Sequence, residues 1–291
     1  MTLTRRQFAT QAFQCAFSTM SIDAFAGEGR NNSWKRFSES LAAFGRRESL
    51  VLSVQRDRAD RIEEENAFPQ GRALTRARPS DRPISQNATS LIISSEVSGK
   101  ATYTSKYQSP TWPGDLSGVT IGIGYDLGFV TKQYLHEDWD DYIGSVKTKA
   151  LEASCGIRGM NAGQLLRSTS DIRVSWEIAR RQYKGAMEPR YVGETMRALP
   201  NCELLTPDSL GALVALVYNR GPTGFIVPAS RDTHNRFSEM RKIKALMSTM
   251  CFAEIPSQIR QMARLWRSDP HAQGLVFRRQ LEADLFELGL S

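Results

Sequence analysis

The chain has 291 residues, of which 24% are charged and 41% hydrophobic. This composition excludes a collagen-like repeat, a disulfide-rich miniprotein and a multispan membrane protein, and the length allows one large domain or two small ones. The formal net charge is +7. That excess is too small to require a nucleic-acid partner, so none is predicted, and it also suits anionic glycans and cell walls.

The N-terminus has the parts of a bacterial export signal. Arg5 and Arg6 precede a weakly apolar stretch over 9–20, and residues 24–26 offer a small-x-small cleavage site. The arginine pair is similar to a twin-arginine signal, and the stretch is too short and too polar to span a membrane. We therefore expect 1–26 to be an export signal, the protein to be periplasmic or secreted, and no integral membrane segment.

Residues 27–88 differ in composition from the rest of the chain. A short helix is expected over 31–44, and the interval 46–83 that follows is crowded with Arg, Asp and Glu. Little of that interval can bury an apolar face. The sequence therefore predicts a flexible, Arg-rich linker over 27–88.

Cysteine and histidine usage indicates neither a disulfide framework nor a metal site. Cys155, Cys202 and Cys251 follow the predicted signal, so at most one disulfide can form among them. The three histidines are scattered and lack ligand spacing to cysteines or carboxylates. No metal and no cofactor is predicted.

From Thr89 onward the sequence predicts a mainly helical domain with one strand-rich insert. A short helix begins near Leu91 and ends before Gly99. β-branched and aromatic residues over 102–104 and 119–125 flank a turn-forming segment and predict a small hairpin. The fold class is therefore α+β, with a hairpin lobe against a helical lobe. Further helices are expected over 132–143, 175–187, 190–198, 207–219, 235–248, 256–267 and 272–287.

The helix over 207–219 has the clearest signals. Thr206 can cap its start, and Pro207 suits its first turn. Apolar residues leave it almost no polar face, so we expect it to be buried inside the domain. Gly221 can adopt the left-handed conformation that ends it.

Two carboxylates and a hydroxyl near the predicted hairpin are the candidates for chemistry. Glu96 ends an apolar helical turn, and a carboxyl in such a partly dry site resists ionisation and suits a proton donor. Thr120 begins the second predicted strand, while Asp115 and Asp126 lie before and after it. Glycosidic hydrolysis needs one acid and a second carboxylate that attacks or activates water. Each residue also has a structural interpretation, such as turn formation for Asp115.

The order of these residues resembles the active-site signature of phage T4-type lysozymes, the glycoside hydrolase family 24 muramidases. Glu96 is followed by a tyrosine-containing segment and then by Thr-Ile-Gly-Ile-Gly over 120–124. The longer run over 117–128, which contains Tyr-Asp-Leu-Gly, is more similar to the pesticin-like branch. Further similarities lie over 218–221 and 274–279. The resemblance covers roughly 89–291.

This resemblance implies a lysozyme-like fold that cleaves the β-1,4 bond between N-acetylmuramic acid and N-acetylglucosamine. Glu96 matches the general acid, and Thr120 matches the hydroxyl that helps to place the attacking water. The second carboxylate is Asp115 in the T4-type pattern and Asp126 in the pesticin-like pattern. Asp126 is favoured because Tyr-Asp-Leu-Gly stands intact, whereas Tyr125 replaces the histidine of the T4-type pattern. A retaining or an inverting outcome depends on which carboxylate acts.

Candidate substrate contacts are aromatic and polar side chains near these residues. Aromatic rings can stack on the apolar faces of sugars, and packing within the hairpin explains them equally well. Arg220 also suits a structural ion pair. Arg278 and Arg279 are expected on a solvated helix face, from which one of them can turn into an ion pair, and Trp266 is expected in the core. The candidate contacts are Tyr103, Trp112, Tyr125, Asn219 and Arg220.

The leading interpretation is therefore an exported muramidase whose partner is the glycan strand of peptidoglycan. A lytic transglycosylase or a chitosanase would keep the fold and change the reaction or the polymer. A catalytically inactive cell-wall-binding module would keep only the affinity for glycan. No sequence signal identifies a secretion-system or immunity partner.

Overall fold

A computed structural model describes residues 26–57, 59–67 and 76–290, so nearly all of the predicted export signal lies outside the described residues. The fold is mainly helical with a small two-stranded antiparallel sheet, which confirms the α+β class. No helix in the described ranges is both long and apolar enough to cross a membrane. The helices are α1 (Ala26–Gly45), α2 (Glu48–Arg56), α3 (Ala59–Ala67), α4 (Gln86–Val97), α5 (Lys100–Thr102), α6 (Lys132–Ile143), α7 (Ser145–Leu151), α8 (Met160–Gln164), α9 (Trp176–Gln182), α10 (Glu188–Ala198), α11 (Pro207–Arg220), α12 (Ser238–Thr249), α13 (Ile255–Gln261) and α14 (Gln273–Leu290).

Helix α11 lies at the centre of the core, as its sequence predicts. Residues 209–218 are all buried, because the helix is apolar on every face. Thr206 accepts a hydrogen bond from the Ser209 amide at 3.2 Å, and Gly221 ends the helix with a φ of 79°. Helix α14 packs along α11 and brings the C-terminal part of the chain to the core.

Helix α4 starts earlier than expected. Ser85, rather than Thr89 or Ser90, caps it by accepting a hydrogen bond from the Ala88 amide at 3.1 Å. The helix then runs to Val97, and the next residue takes a positive φ that stops it. This end of α4 carries Glu96.

The strand expected over 102–104 is wrong. These residues belong to α5 and to a π-helical turn, Tyr103–Tyr107. In this helical backbone the buried Tyr103 side chain donates its hydroxyl to the Val174 carbonyl at 3.0 Å. The sheet lies inside the second predicted strand, which folds back on itself. β1 (Thr120–Ile121) pairs antiparallel with β2 (Tyr125–Asp126), and Thr120 lies opposite Asp126.

The described parts of 27–88 differ from the expected flexible linker. Helices α1 and α2 pack against α4 and α14. Phe44 is buried and stacks on Phe277 with ring centroids 5.8 Å apart. The backbone at Gly274 approaches α2 so closely that its amide donates to Ser53 at 3.0 Å. Apolar side chains at helical spacing, among them Val51, make α2 amphipathic despite the charged composition around it.

The remaining predicted helices are present with small shifts at their ends. The helix expected over 256–267 ends at Gln261 and continues as a 3-10 turn, Met262–Leu265. The helix expected over 175–187 is present as α9 followed by a second π-helical turn, Tyr183–Met187. Trp266 is buried in the core, as expected.

Candidate active site

A cleft of about 260 Å³ opens where the end of α4 meets the β1–β2 turn and the end of α11. Glu96, Asp126 and Asn219 all line this cleft. Glu96 is only 5% exposed, so its carboxyl lies in the partly dry surroundings that the apolar turn of α4 predicts. The structure thus places the first candidate acid and one of the two candidate second carboxylates in one cavity.

The Gly-Ile-Gly sequence of the hairpin allows its turn to lie against buried side chains. A Cβ atom at Gly124 would stand 2.5 Å from Oε2 of Glu96, and φ at this glycine is 70°. A Cβ atom at Gly122 would stand 2.6 Å from the Trp139 ring. Only glycine fits both the space and the left-handed backbone at these positions. The turn therefore holds the backbone of the hairpin against the candidate acid.

Arg278 forms a buried ion pair with Glu96. Its Nη1 donates to Oε1 of Glu96 at 2.7 Å, and its Nε donates to Glu282 at 3.0 Å. Burial alone would lower the pKa of Arg278, but the Glu96 and Glu282 carboxylates outweigh burial and raise it. The ion pair therefore fixes the Glu96 carboxyl at the end of α4.

Arg279 extends this network to the cleft. Its Nη2 donates to Glu282 at 2.9 Å and to the side-chain oxygen of Asn219 at 3.0 Å. Burial lowers the pKa of Arg279 to about 10. The expectation of a solvated face for Arg278 and Arg279 is wrong, because both side chains are fully buried among carboxylates. Asn219, a candidate substrate contact, lines the cleft and accepts this bond through its side-chain oxygen.

Asp126 lines the cleft and also shapes the hairpin. Its Oδ1 accepts hydrogen bonds from the amides of Gly118 and Gly128, both at 2.9 Å. The second of these bonds caps the short 3-10 turn that follows β2. Two backbone donors therefore fix the orientation of the carboxylate beside the cleft.

The other two candidate catalytic residues lie differently. Thr120 pairs with Asp126 in the sheet, but its side chain is buried, donates to the Gly118 carbonyl at 3.4 Å and does not line the cleft. Asp115 sits in the preceding turn with a φ of 48°. It lines a separate cavity of about 490 Å³ beside Trp266. The structure therefore brings Asp126, and not Asp115, into the cleft with Glu96.

Of the three candidate aromatic contacts, one lines the cleft and two do not. Tyr125 lines the cleft and donates to Oδ2 of Asp138 at 2.7 Å. Tyr103 is fully buried, so it has no face for a sugar ring. Trp112 lies outside the cleft lining, where its indole nitrogen donates to the Ser117 carbonyl at 3.1 Å. Trp112 therefore packs beside the hairpin, whereas Tyr103 packs in the helical core against the Trp176 ring, with centroids 5.4 Å apart.

Arg220 is a structural residue and does not reach the cleft. Its side chain is fully buried and donates to Asp60 of α3 through Nε at 2.5 Å and through Nη2 at 2.9 Å. Burial alone would raise the pKa of Asp60, but Arg220 and Arg236 outweigh it and lower the pKa. The expectation of a substrate contact is wrong for Arg220, because this ion pair ties α3 to the end of α11.

Sequence reasoning missed the opposite wall of the cleft, which is built around Asp138. This aspartate is fully buried in α6, and Arg76 and Arg190, both on the cleft lining, bind it. A signal was available. Asp138 lies on the same helical face as the buried Leu135 and Trp139, and a buried aspartate requires cationic partners.

Comparison with known proteins returns no matching family model and no matching curated protein. Over the described ranges, no group of three or more His, Cys, Asp or Glu side chains is arranged to hold a metal ion. Among the described residues, the cleft lining carries three carboxylates, Glu96, Asp126 and Glu194, with buried cations behind Glu96 and two arginines on the opposite wall.

Proposed function

We propose that the chain is a muramidase, a hydrolase that cleaves the β-1,4 bond between N-acetylmuramic acid and N-acetylglucosamine in peptidoglycan. The observation that carries this proposal is that Glu96 and Asp126 line one cleft, with the Gly124 backbone against the Glu96 carboxyl. Glycoside hydrolysis needs such a pair, one carboxyl as acid and one as base or nucleophile. A lysozyme-like identity of the fold is part of the same proposal.

Glu96 acts as the general acid in this mechanism. Its proton passes to the glycosidic oxygen while the bond from that oxygen to the anomeric carbon breaks. Arg278 holds Oε1 of Glu96, and Oε2 lies beside the Gly124 backbone, so the position of the carboxyl is fixed. A sugar bound over the cleft would exclude water from Glu96.

Asp126 acts as the second carboxylate. Held by the amides of Gly118 and Gly128, it can activate a water or stabilise the positive charge that develops on the sugar. Thr120 pairs with Asp126 in the sheet but lies outside the cleft lining, so its role is to support the strand that carries Asp126. Peptidoglycan lies outside the cytoplasm, which agrees with the export signal predicted over 1–26.

One observation favours a second candidate function, a lytic transglycosylase. Oδ1 of Asp126 is occupied by two backbone amides, which is also what a purely structural capping residue would show. Glu96 would then act alone, first as acid and then as base, and the product would end in an anhydro sugar. The inactive wall-binding module remains as an outcome of the test, and a chitosanase would be shown by fragments from chitosan but none from peptidoglycan.

The test is a digest of purified peptidoglycan by the full chain, beside Glu96→Gln and the control Glu203→Gln. Glu203 is exposed and lies outside the cleft lining. The proposal expects soluble fragments from the wild type and the control and none from Glu96→Gln. Binding without fragments in all three proteins would support the wall-binding module, and release of fragments by Glu96→Gln would overturn the proposed role of Glu96.

A further inference from the structure

Two arginines on the cleft wall share one buried aspartate. Arg190 binds both oxygens of Asp138, with Nη1 at 2.6 Å from Oδ2 and Nη2 on Oδ1. Arg76 binds the same carboxylate, with Nη1 at 3.0 Å from Oδ1 and Nη2 at 2.9 Å from Oδ2. Both arginines line the cleft that holds Glu96. One negative charge therefore faces two positive charges at this wall.

The neighbouring groups do not neutralise this excess positive charge. Burial and Asp138 raise the pKa of Tyr125, so the phenol that donates to Asp138 carries no charge. Glu137 lies 3.9 Å from Arg76 but is exposed, and solvent screens such a pair. Further along the wall, Arg197 and Glu194 form an ion pair of their own, so their charges cancel.

Arg76 is positioned so that the excess positive charge is available to a ligand in the cleft. Its guanidinium lies over the Tyr134 ring at 3.7 Å from the centroid, and this ring also lines the cleft. The contact and the bonds to Asp138 fix the planar group, which lowers the entropy cost of binding an anion. Arg76 precedes α4 and belongs to the part of the chain that composition assigns to a linker.

We infer that Arg76 and Arg190 form a subsite for a carboxylate of the substrate. The inference depends on the proposed function and narrows its substrate class. The carboxylate belongs either to the stem peptide or, on strands whose peptide has been removed, to the lactyl group of muramic acid, which the peptide otherwise holds as an amide. The guanidinium hydrogens that do not point at Asp138 can donate to either one. Chitin has the same linkage and no carboxylate, so the subsite would select muramyl strands over chitin.

Binding to the full chain tests this directly, in a Glu96→Gln background that is expected not to cleave. Three ligands are compared: muramyl oligosaccharides with stem peptides, the same strands with peptides removed by an amidase, and N-acetylglucosamine oligomers. Arg76→Gln should weaken binding of carboxylate-bearing ligands about tenfold, the size of one charge-assisted hydrogen bond, and leave N-acetylglucosamine oligomers unaffected. Loss on the stripped strands assigns the lactyl carboxylate, and loss only on the peptide-bearing strands assigns the stem.

The control is Arg260→Gln, which removes an ion-paired arginine of α13 outside the cleft and should change no affinity. Arg76→Gln leaves Asp138 paired with Arg190 and Tyr125, so the fold should persist. A second measurement keeps Arg76 in place and follows how salt changes the affinity for each ligand. Added salt should weaken binding of carboxylate-bearing ligands and not of N-acetylglucosamine oligomers.

An equal loss on all three ligands, no loss on any, or salt dependence without regard to the carboxylate would overturn the subsite. A failure of the proposed function looks different. In that case the wild type would prefer carboxylate-bearing ligands and still release no fragments from peptidoglycan.

Discussion

The Nη1 atom of Arg278 lies 2.7 Å from Oε1 of Glu96, and both side chains are almost completely closed to solvent. The pair joins α4 to α14, helices that lie far apart in the chain. Glu282 and Arg279 continue it towards Asn219 at the cleft. The candidate acid is therefore held by a buried network of ion pairs between α4 and α14.

Replacing Arg278 should destabilise the fold as well as the site. Arg278→Ala leaves Glu96 without this partner and Glu282 with Arg279 alone, and breaking a buried pair typically costs about 3–5 kcal/mol. Urea unfolding should show this loss, whereas Arg260→Ala, at a partly exposed ion pair, should cost about 1 kcal/mol or less. Equal unfolding free energies for the two variants would contradict a stabilising role for the buried Arg278–Glu96 pair.

The two aspartates should differ sharply in their effect on turnover. Asp126→Asn removes the carboxylate beside Glu96 and should reduce the hydrolysis rate about 10²-fold or more, whereas Asp115→Asn changes a separate cavity and should have little effect. Initial rates on peptidoglycan, with circular dichroism as the check on folding, measure both. The reverse ranking would move the second catalytic role to Asp115.

Gly124→Ala should reduce activity through the Glu96 carboxyl. The added Cβ would stand 2.5 Å from Oε2 of Glu96, so the acid or the hairpin must move. Gly144→Ala is a matched control, because Gly144 also has a positive φ, 83°, and an added Cβ there meets nothing within 4 Å. Both variants should lose about 1–2 kcal/mol of stability from backbone strain, and only Gly124→Ala should lose activity. Matching losses of activity would indicate that backbone strain alone is responsible.

His136 should stabilise the α6–α7 region more in mild acid than at alkaline pH. Hydrogen bonds that the His136 ring donates to Glu152 and Asp140, each at 3.0 Å, raise the pKa of His136. The stabilisation is therefore fully present below the unfolded pKa of about 6.5 and is lost as the pH rises through the higher folded value. Unfolding free energies of the wild type and His136→Gln should differ most at about pH 5, where His136 is protonated and Asp140 and Glu152, whose pKa values its hydrogen bonds lower, are still ionised. The two proteins should converge at alkaline pH. A difference that grows towards alkaline pH would have the wrong sign for this pair.

The sequence predicted those parts of the fold and site that local patterns specify. The cap at Thr206, the apolar faces of α11 and the stop at Gly221 are all encoded within one helix. The placement of Glu96 in a partly dry site follows from the apolar turn before it. These features need no knowledge of distant contacts.

The buried charges could not be predicted in the same way. An arginine in a helix is normally solvated, and only the tertiary fold brings Glu96 to Arg278 or Arg76 to Asp138. The strand expected over 102–104 failed for a related reason, because burial of Tyr103 against the Val174 carbonyl outweighs local β propensity.

The most direct measurement is mass spectrometry of the fragments that the full chain releases from purified peptidoglycan, with Glu96→Gln as the comparison. The fragment masses identify the sugar ends. A hydrolase adds water across the bond, so the wild type should release fragments with reducing ends, and Glu96→Gln should release none. Anhydro ends would contradict hydrolysis and establish the transglycosylase. Reducing ends from both proteins would contradict the role assigned to Glu96.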